Sequence, residues 1–98
     1  MYMNLANYTP QSGHQTNREV AEQIASLIGG DLIDALDAML AYIQDAGWTW
    51  EKPEGFFGAV VDSNGNRHIL WSAQSFADAV TQAFRLLKQY QKMGWDHG

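Results

Sequence analysis

Two periods divide this chain. From Val20 the apolar residues recur at helical intervals through Ile24, Leu27 and Ile28, after Gly47 they alternate in steps of two, and from Phe76 the helical interval returns. Each stretch carries its own start and stop signals. Thr16 stands three residues before Glu19, the spacing of a capping box, and Gly29-Gly30 ends the helix that it opens. Asp31 can cap a second helix whose stripe is Leu32, Ile33, Leu36, Met39, Leu40 and Ile43, with Asp34, Asp37 and Asp45 largely off the stripe and Gly47 at the C-terminal cap. Ser75 can cap a third, with Asp78 in its first turn and a buried stripe of Phe76, Val80, Ala83, Phe84 and Leu87. Lys88 and Lys92 suit its C-terminal end, and Gly94 closes it.

Between the helices, Trp48-Thr49-Trp50, Phe56 to Val61 and Arg67 to Trp71 are rich in β-favouring residues. Lys52-Pro53-Glu54-Gly55 suits a type I turn, and Asn64-Gly65 is a strong hairpin signal. The pattern predicts an α+β fold, a three-stranded antiparallel β-meander packed with three helices in the order α-α-β-β-β-α, sandwich-like. Residues 16–94 form its single domain, residues 95–98 a C-terminal tail, and the polar residues 1–15 a flexible N-terminal arm from which Met1, Tyr2, Met3, Leu5 and Tyr8 can still dock.

A two-residue turn at Asn64-Gly65 sets Val61 against His68, Val60 against Ile69, Ala59 against Leu70, and Gly58 beneath the indole of Trp71. Asp62 then faces Arg67. A turn at Pro53 places Trp50 beside Phe57 and Trp48 beside Ala59. One sheet face thus collects Trp48, Trp50, Phe57, Ala59, Val61, His68 and Leu70; the other carries Phe56, Val60, Ile69 and Trp71 among Thr49, Glu51, Asp62 and Arg67. Alternation with Thr49 and Glu51 assigns Trp48 and Trp50 to the core. The second face is too apolar to be left wholly in water and too polar for an ordinary core. Helices on both sides of the sheet satisfy it, and so does a one-sided sheet that forms a homodimer.

Composition narrows the chemistry. With 98 residues, 46% apolar and 17% charged, the chain supports one folded core. No apolar run approaches a membrane span, and the first residues have neither a basic start nor an apolar signal segment, which predicts a soluble, unsecreted protein with no membrane contact. There is no cysteine, hence no disulfide, thiolate nucleophile or sulfur-ligated metal. A net charge of −5 disfavours direct nucleic-acid binding, while the acidic residues are too sparse for a mimic of DNA. His14, His68 and His97 are scattered, and nothing completes a metal site around Asp96-His97. The glycines before Asp31 lack the Lys-Ser/Thr of a phosphate cradle, and the aspartates of the second helix read as its solvated side. No serine lies in a nucleophile elbow and no lysine is flanked so as to lower its pKa. No catalytic residue, cofactor or metal is expected; the chain does not read as an enzyme.

The segment "LIDALDAMLAYIQDAGWTW", continued through "HILWSAQSFADAVTQAFRLLK", resembles the phage alpha-beta-alpha sandwich domain family of small bacteriophage proteins. In that family a helix ends just before a Gly-Trp pair, strands follow, and a Ser-led helix begins soon after the last strand. The matching residues are Gly47 and Trp48, then Ser72 or Ser75 before Phe76. The first helix and the arm lie outside the likeness. It implies a sandwich fold and a phage or prophage origin, hence the cytoplasm of a bacterial host cell, and it supplies no catalytic residues. Small acidic phage proteins of this size include inhibitors of bacterial defence systems, such as anti-CRISPR proteins.

The leading expectation is therefore a non-enzymatic protein-binding module, a phage-type accessory or inhibitor protein whose partner is a host-defence or phage protein. Phe56, Ile69 and Trp71 are its candidate apolar anchors, and Arg67 and Glu51 its polar rim. The alternative is a homo-oligomeric small-ligand binder, a nucleotide sponge in which Trp and Tyr stack on a flat ring.

Overall fold

The computed structural model describes residues 15–51, 58–70 and 73–93, together with Leu5 and Tyr8. Its elements are α1 (Asn17–Ile28), α2 (Leu32–Asp45), β1 (Thr49–Glu51), β2 (Ala59–Val61), β3 (Arg67–Ile69) and α3 (Phe76–Met93). This is the α+β order that the sequence predicts. Among the described residues, no helix is long and apolar enough to cross a membrane.

Capping side chains start each helix. Thr16 accepts the Glu19 N–H and Glu19 accepts the Thr16 N–H, both at 3.1 Å. Asp31 and Asp34 repeat the exchange on α2 at 3.0 and 3.1 Å, with an aspartate in the part usually taken by glutamate. Ser75 Oγ accepts the Asp78 N–H at 3.1 Å and opens α3. At the far end of α2 the N–H groups of Gly47 and Trp48 donate back to Gln44 and Ile43, so that the last turn hands the chain directly to β1. Gly94 lies outside the described residues.

The core takes Val20 and Ile24 from α1, Ala35, Ala38, Met39 and Ile43 from α2, and Val80, Ala83, Phe84 and Leu87 from α3. From the sheet it takes only even-numbered residues, Trp48, Val60 and Leu70. All three helices therefore lie on one side of the sheet. The helical stripes are shorter than their apolar patterns: Leu27 is 46% exposed, Leu32 38%, Ile33 68% and Phe76 43%. Phe76 still meets the Trp50 ring edge-on, with centroids 5.8 Å apart. Lys88, in the C-terminal half of α3 as expected, is buried.

The sheet runs β1-β2-β3, antiparallel throughout, but with both registers shifted. Ala59 pairs with Ile69, Val60 with His68 and Val61 with Arg67, one residue away from the expected alignment. The cause is the turn. A two-residue type I′ turn needs positive φ at both central residues, and only Gly65 has it, at 87°. The hairpin closes with three residues instead, through Gly65 N–H to Asp62 O at 3.0 Å and Asp62 N–H to Asn66 O at 2.9 Å. The Asp62 carboxylate favours this form by accepting the N–H groups of Asn64 and Asn66.

Across the other pair, Thr49 meets Val61, Trp50 meets Val60 and Glu51 meets Ala59, three residues from the expected pairing. The connecting residues 52–57 lie outside the description. Two shifts of odd size cancel for the outer strands and invert the middle one. Trp48, Trp50, His68 and Leu70 face the helices as expected, but Val60 and Asp62 join them there, while Ala59 and Val61 turn outward. A glycine does lie beneath an indole, only a different one: a side chain at Gly58, whose φ is 146°, would come within 2.9 Å of the Trp50 ring.

Candidate docking surface

The outward face is built by Thr49 and Glu51 of β1, Ala59 and Val61 of β2, and Arg67 and Ile69 of β3. Thr49, Glu51 and Arg67 are exposed, and Val61 and Ile69 are half-buried. Neither Val61 nor Ile69 packs against the core. Arg67 Nη2 and Glu51 Oε1 form an ion pair at 2.6 Å, although the two residues sit on opposite edge strands. Strands lie about 4.8 Å apart, so the guanidinium must cross β2 to reach its partner. It can do so because β2 carries only a methyl group at Ala59, which is fully buried. The pair thus ties the two edges together over the smallest side chain of the face.

Of the residues that sequence reasoning placed here, the structure brings Ile69, Arg67 and Glu51 onto one surface. Phe56 and Trp71 lie outside the described residues. Asp62, expected opposite Arg67, turns instead toward the helices and binds His68, with Oδ2 to Nε2 at 2.9 Å. His68 stacks on Trp48 with ring centroids 5.7 Å apart and 13° between planes, and Tyr90 of α3 closes edge-on against both rings. The Trp48 indole N–H is buried, with no acceptor among the described residues. Burial would raise the Asp62 carboxyl, but hydrogen bonds from His68, Asn66 and Asn64 and the charge of His68 outweigh it, and the group sits below its ordinary value of 3.8. This cluster fixes the hairpin to α3 and leaves its back face outward. Its signal in the sequence was Asp-Ser-Asn-Gly, where an aspartate opens a type I turn that a glycine ends.

A cavity of about 470 Å³ opens beside the first turns of the helices, lined by Asn17 and Arg18 of α1, Leu32 and Leu36 of α2, and Gln74 and Asp78 at the start of α3. Asn17 donates to Asp78 at 2.5 Å and accepts from Arg85 at 3.0 Å. Among the described residues, no three His, Asp or Glu side chains gather as a metal site would require. Comparison with family models, with curated proteins and with solved structures finds no match to this chain.

Proposed function

We propose that this protein is a small non-enzymatic protein-binding module and that the outward sheet face is its docking surface. One observation carries the reading: all three helices and the core lie on one side of the sheet, and the other side presents Val61 and Ile69, half-buried, beneath a single Arg67–Glu51 pair. An apolar strip crossed by an arginine suits a protein partner, because arginine beside partly desolvated apolar surface is a common source of binding energy. The likeness at Gly47-Trp48 and Ser75 to small phage proteins supports a phage-type accessory role in a bacterial cytoplasm, with a host-defence or phage protein as partner and inhibition of a defence system as its sharpest form.

Charge exchange tests the reading. The double substitution Arg67→Glu with Glu51→Arg keeps an ion pair over Ala59 but reverses its direction. Wild type, the double variant and Ile69→Asp serve as bait in lysates of phage-infected bacteria, with bound proteins read by mass spectrometry and folding by thermal melting. A protein held by wild type and lost by both variants, at nearly unchanged melting temperature, is the expected result; retention by Ile69→Asp removes the outward face as the docking surface.

A second reading, a small-ligand binder of the nucleotide class, is favoured by the cavity at the helix starts, whose size falls within the usual range for small-molecule sites. A melting temperature that rises with nucleotide concentration would favour it.

A further inference from the structure

The solvent side of α2 is divided lengthwise. Ala35, Ala38, Met39 and Ile43 are its buried line. Beside them Ile33, Leu36 and Leu40, three and four residues apart, make a second apolar line. Leu36 and Leu40 are half-buried and pack on the core, whereas Ile33 is the most exposed large apolar residue among the described residues, at 68%. Leu36 also lines the cavity at the helix starts, together with Leu32 one turn before it. The apolar line therefore runs from the lip of a recess out onto open surface.

The next line round the helix is acidic. Asp34, Asp37 and Asp45 are all exposed, and Asp37 stands four residues after Ile33 and three before Leu40, so the two lines adjoin. Asp34 lends Oδ2 to the Asp31 N–H in the helix cap. Among the described residues, no Lys, Arg or His pairs with Asp34, Asp37 or Asp45. The sequence gives the reason: every charged residue from Glu19 to Glu51 is acidic, so α2 and the part of α1 after Arg18 supply no cation. Like charges held one turn apart on a helix repel each other. One kind of occupant relieves both features, by covering the apolar line while setting cations against the acidic one.

We propose that this side of α2 is a docking surface for a basic amphipathic helix of another protein. The aliphatic side chains of that helix lie along Ile33, Leu36 and Leu40, and its lysines or arginines face Asp34, Asp37 and Asp45. Anchors at such spacings are what one helix offers another when they pack side by side. Ile33 to Asp45 spans about 18 Å, which a little over three turns of a partner helix cover. Charge complementarity selects the occupant, since an acidic segment or a nucleic acid would meet the same unpaired carboxylates. This surface is separate from the outward sheet face and stands or falls without it.

The probe is a synthetic helical peptide of about five turns, with leucines on one face and lysines on the other, titrated into the full chain. Methyl and amide NMR should show saturable shifts at Ile33, Leu36, Leu40, Asp34 and Asp37, with Val61 and Ile69 of the sheet unmoved. Ile33→Ser, at an exposed site, should melt like wild type yet bind the peptide at least about tenfold more weakly. The double substitution Asp37→Asn with Asp45→Asn should also weaken binding and remove most of its dependence on salt between about 0.05 and 0.5 M. Peptides with serine for leucine, or glutamate for lysine, should leave the Ile33 methyl where it is. Shifts confined to other surfaces, undiminished binding by Ile33→Ser or by the Asn variant, a serine peptide that binds as well, or no saturation by about 1 mM overturns the proposal.

Discussion

The two oxygens of Asp62 have separate tasks. Oδ1 takes the Asn64 and Asn66 N–H groups at 2.8 and 2.9 Å and shapes the hairpin turn, while Oδ2 takes His68 and holds it flat against Trp48. Because the folded state holds this carboxyl below its ordinary value, the folded protein binds its proton more weakly than the unfolded chain does. The stabilisation is fully present above the ordinary carboxylate range and is lost as pH falls through the depressed folded value. Asp62→Ala should therefore cost about 1–3 kcal/mol at neutral pH, as expected when hydrogen bonds to a charged acceptor are lost. In acid the gap between variant and wild type should narrow, with wild type losing stability more steeply. Urea unfolding at a series of pH values measures both; parallel pH profiles would show that the carboxylate does no such work. The turn half of this partnership had a signal in Asp-Ser-Asn-Gly, but the bond to His68 had none, because the expected register sets Asp62 against Arg67.

At the level of elements, helices were far more legible than the pairing of strands. Capping boxes are local: Thr16 with Glu19, and Asp31 before Asp34, act within one turn, and the sequence carries every atom they need. Register is not local. It depends on whether Asn64 adopts positive φ, and a carboxylate at position 62, two residues upstream, decides that it does not. The first strand was placed on its correct face because its tryptophans alternate with Thr49 and Glu51, and the third because the two register shifts cancel. The middle strand, Ala59-Val60-Val61, is apolar on both sides and carries no such alternation. Charge placement settles which of its valines is inside. Val60→Asp buries an unpartnered charge at a site with no exposure and should abolish folding, since its cost of several kcal/mol rivals the whole stability of a small domain. Val61→Asp, on the outward face, should fold and melt within a few degrees of wild type. Circular dichroism of the pair decides the matter, and the reverse result would restore the alignment read from a two-residue turn.

For the whole molecule, what residue patterns left open was the side on which each helix packs, because an amphipathic stripe shows that a helix has a buried face but not which surface buries it. Placing all three on one side divides the protein into unequal layers. The helical layer holds most of the fully buried side chains, Phe84, Ile24, Met39, Ile43, Leu87, Val20 and Val80 among them, whereas the sheet consists of three strands of three residues each. Short strands with one covered face contribute few apolar contacts apiece, so they should open without the helices. Amide exchange under native conditions should then find the slowest protons in the buried turns of α2 and α3, and the Leu70 N–H, bonded to Gly58 O at 3.2 Å at the margin of β3, exchanging at least about tenfold faster. The same layering makes exchange a probe of docking. A partner seated on the outward face would slow the β2 and β3 amides while leaving α3 unchanged, whereas a ligand in the cavity at the helix starts would protect the first turns of α1 and α3. Uniform protection across both layers in the free protein would mean that sheet and helices open as one cooperative unit, and the outward face would then lose the independent give that separates these two footprints.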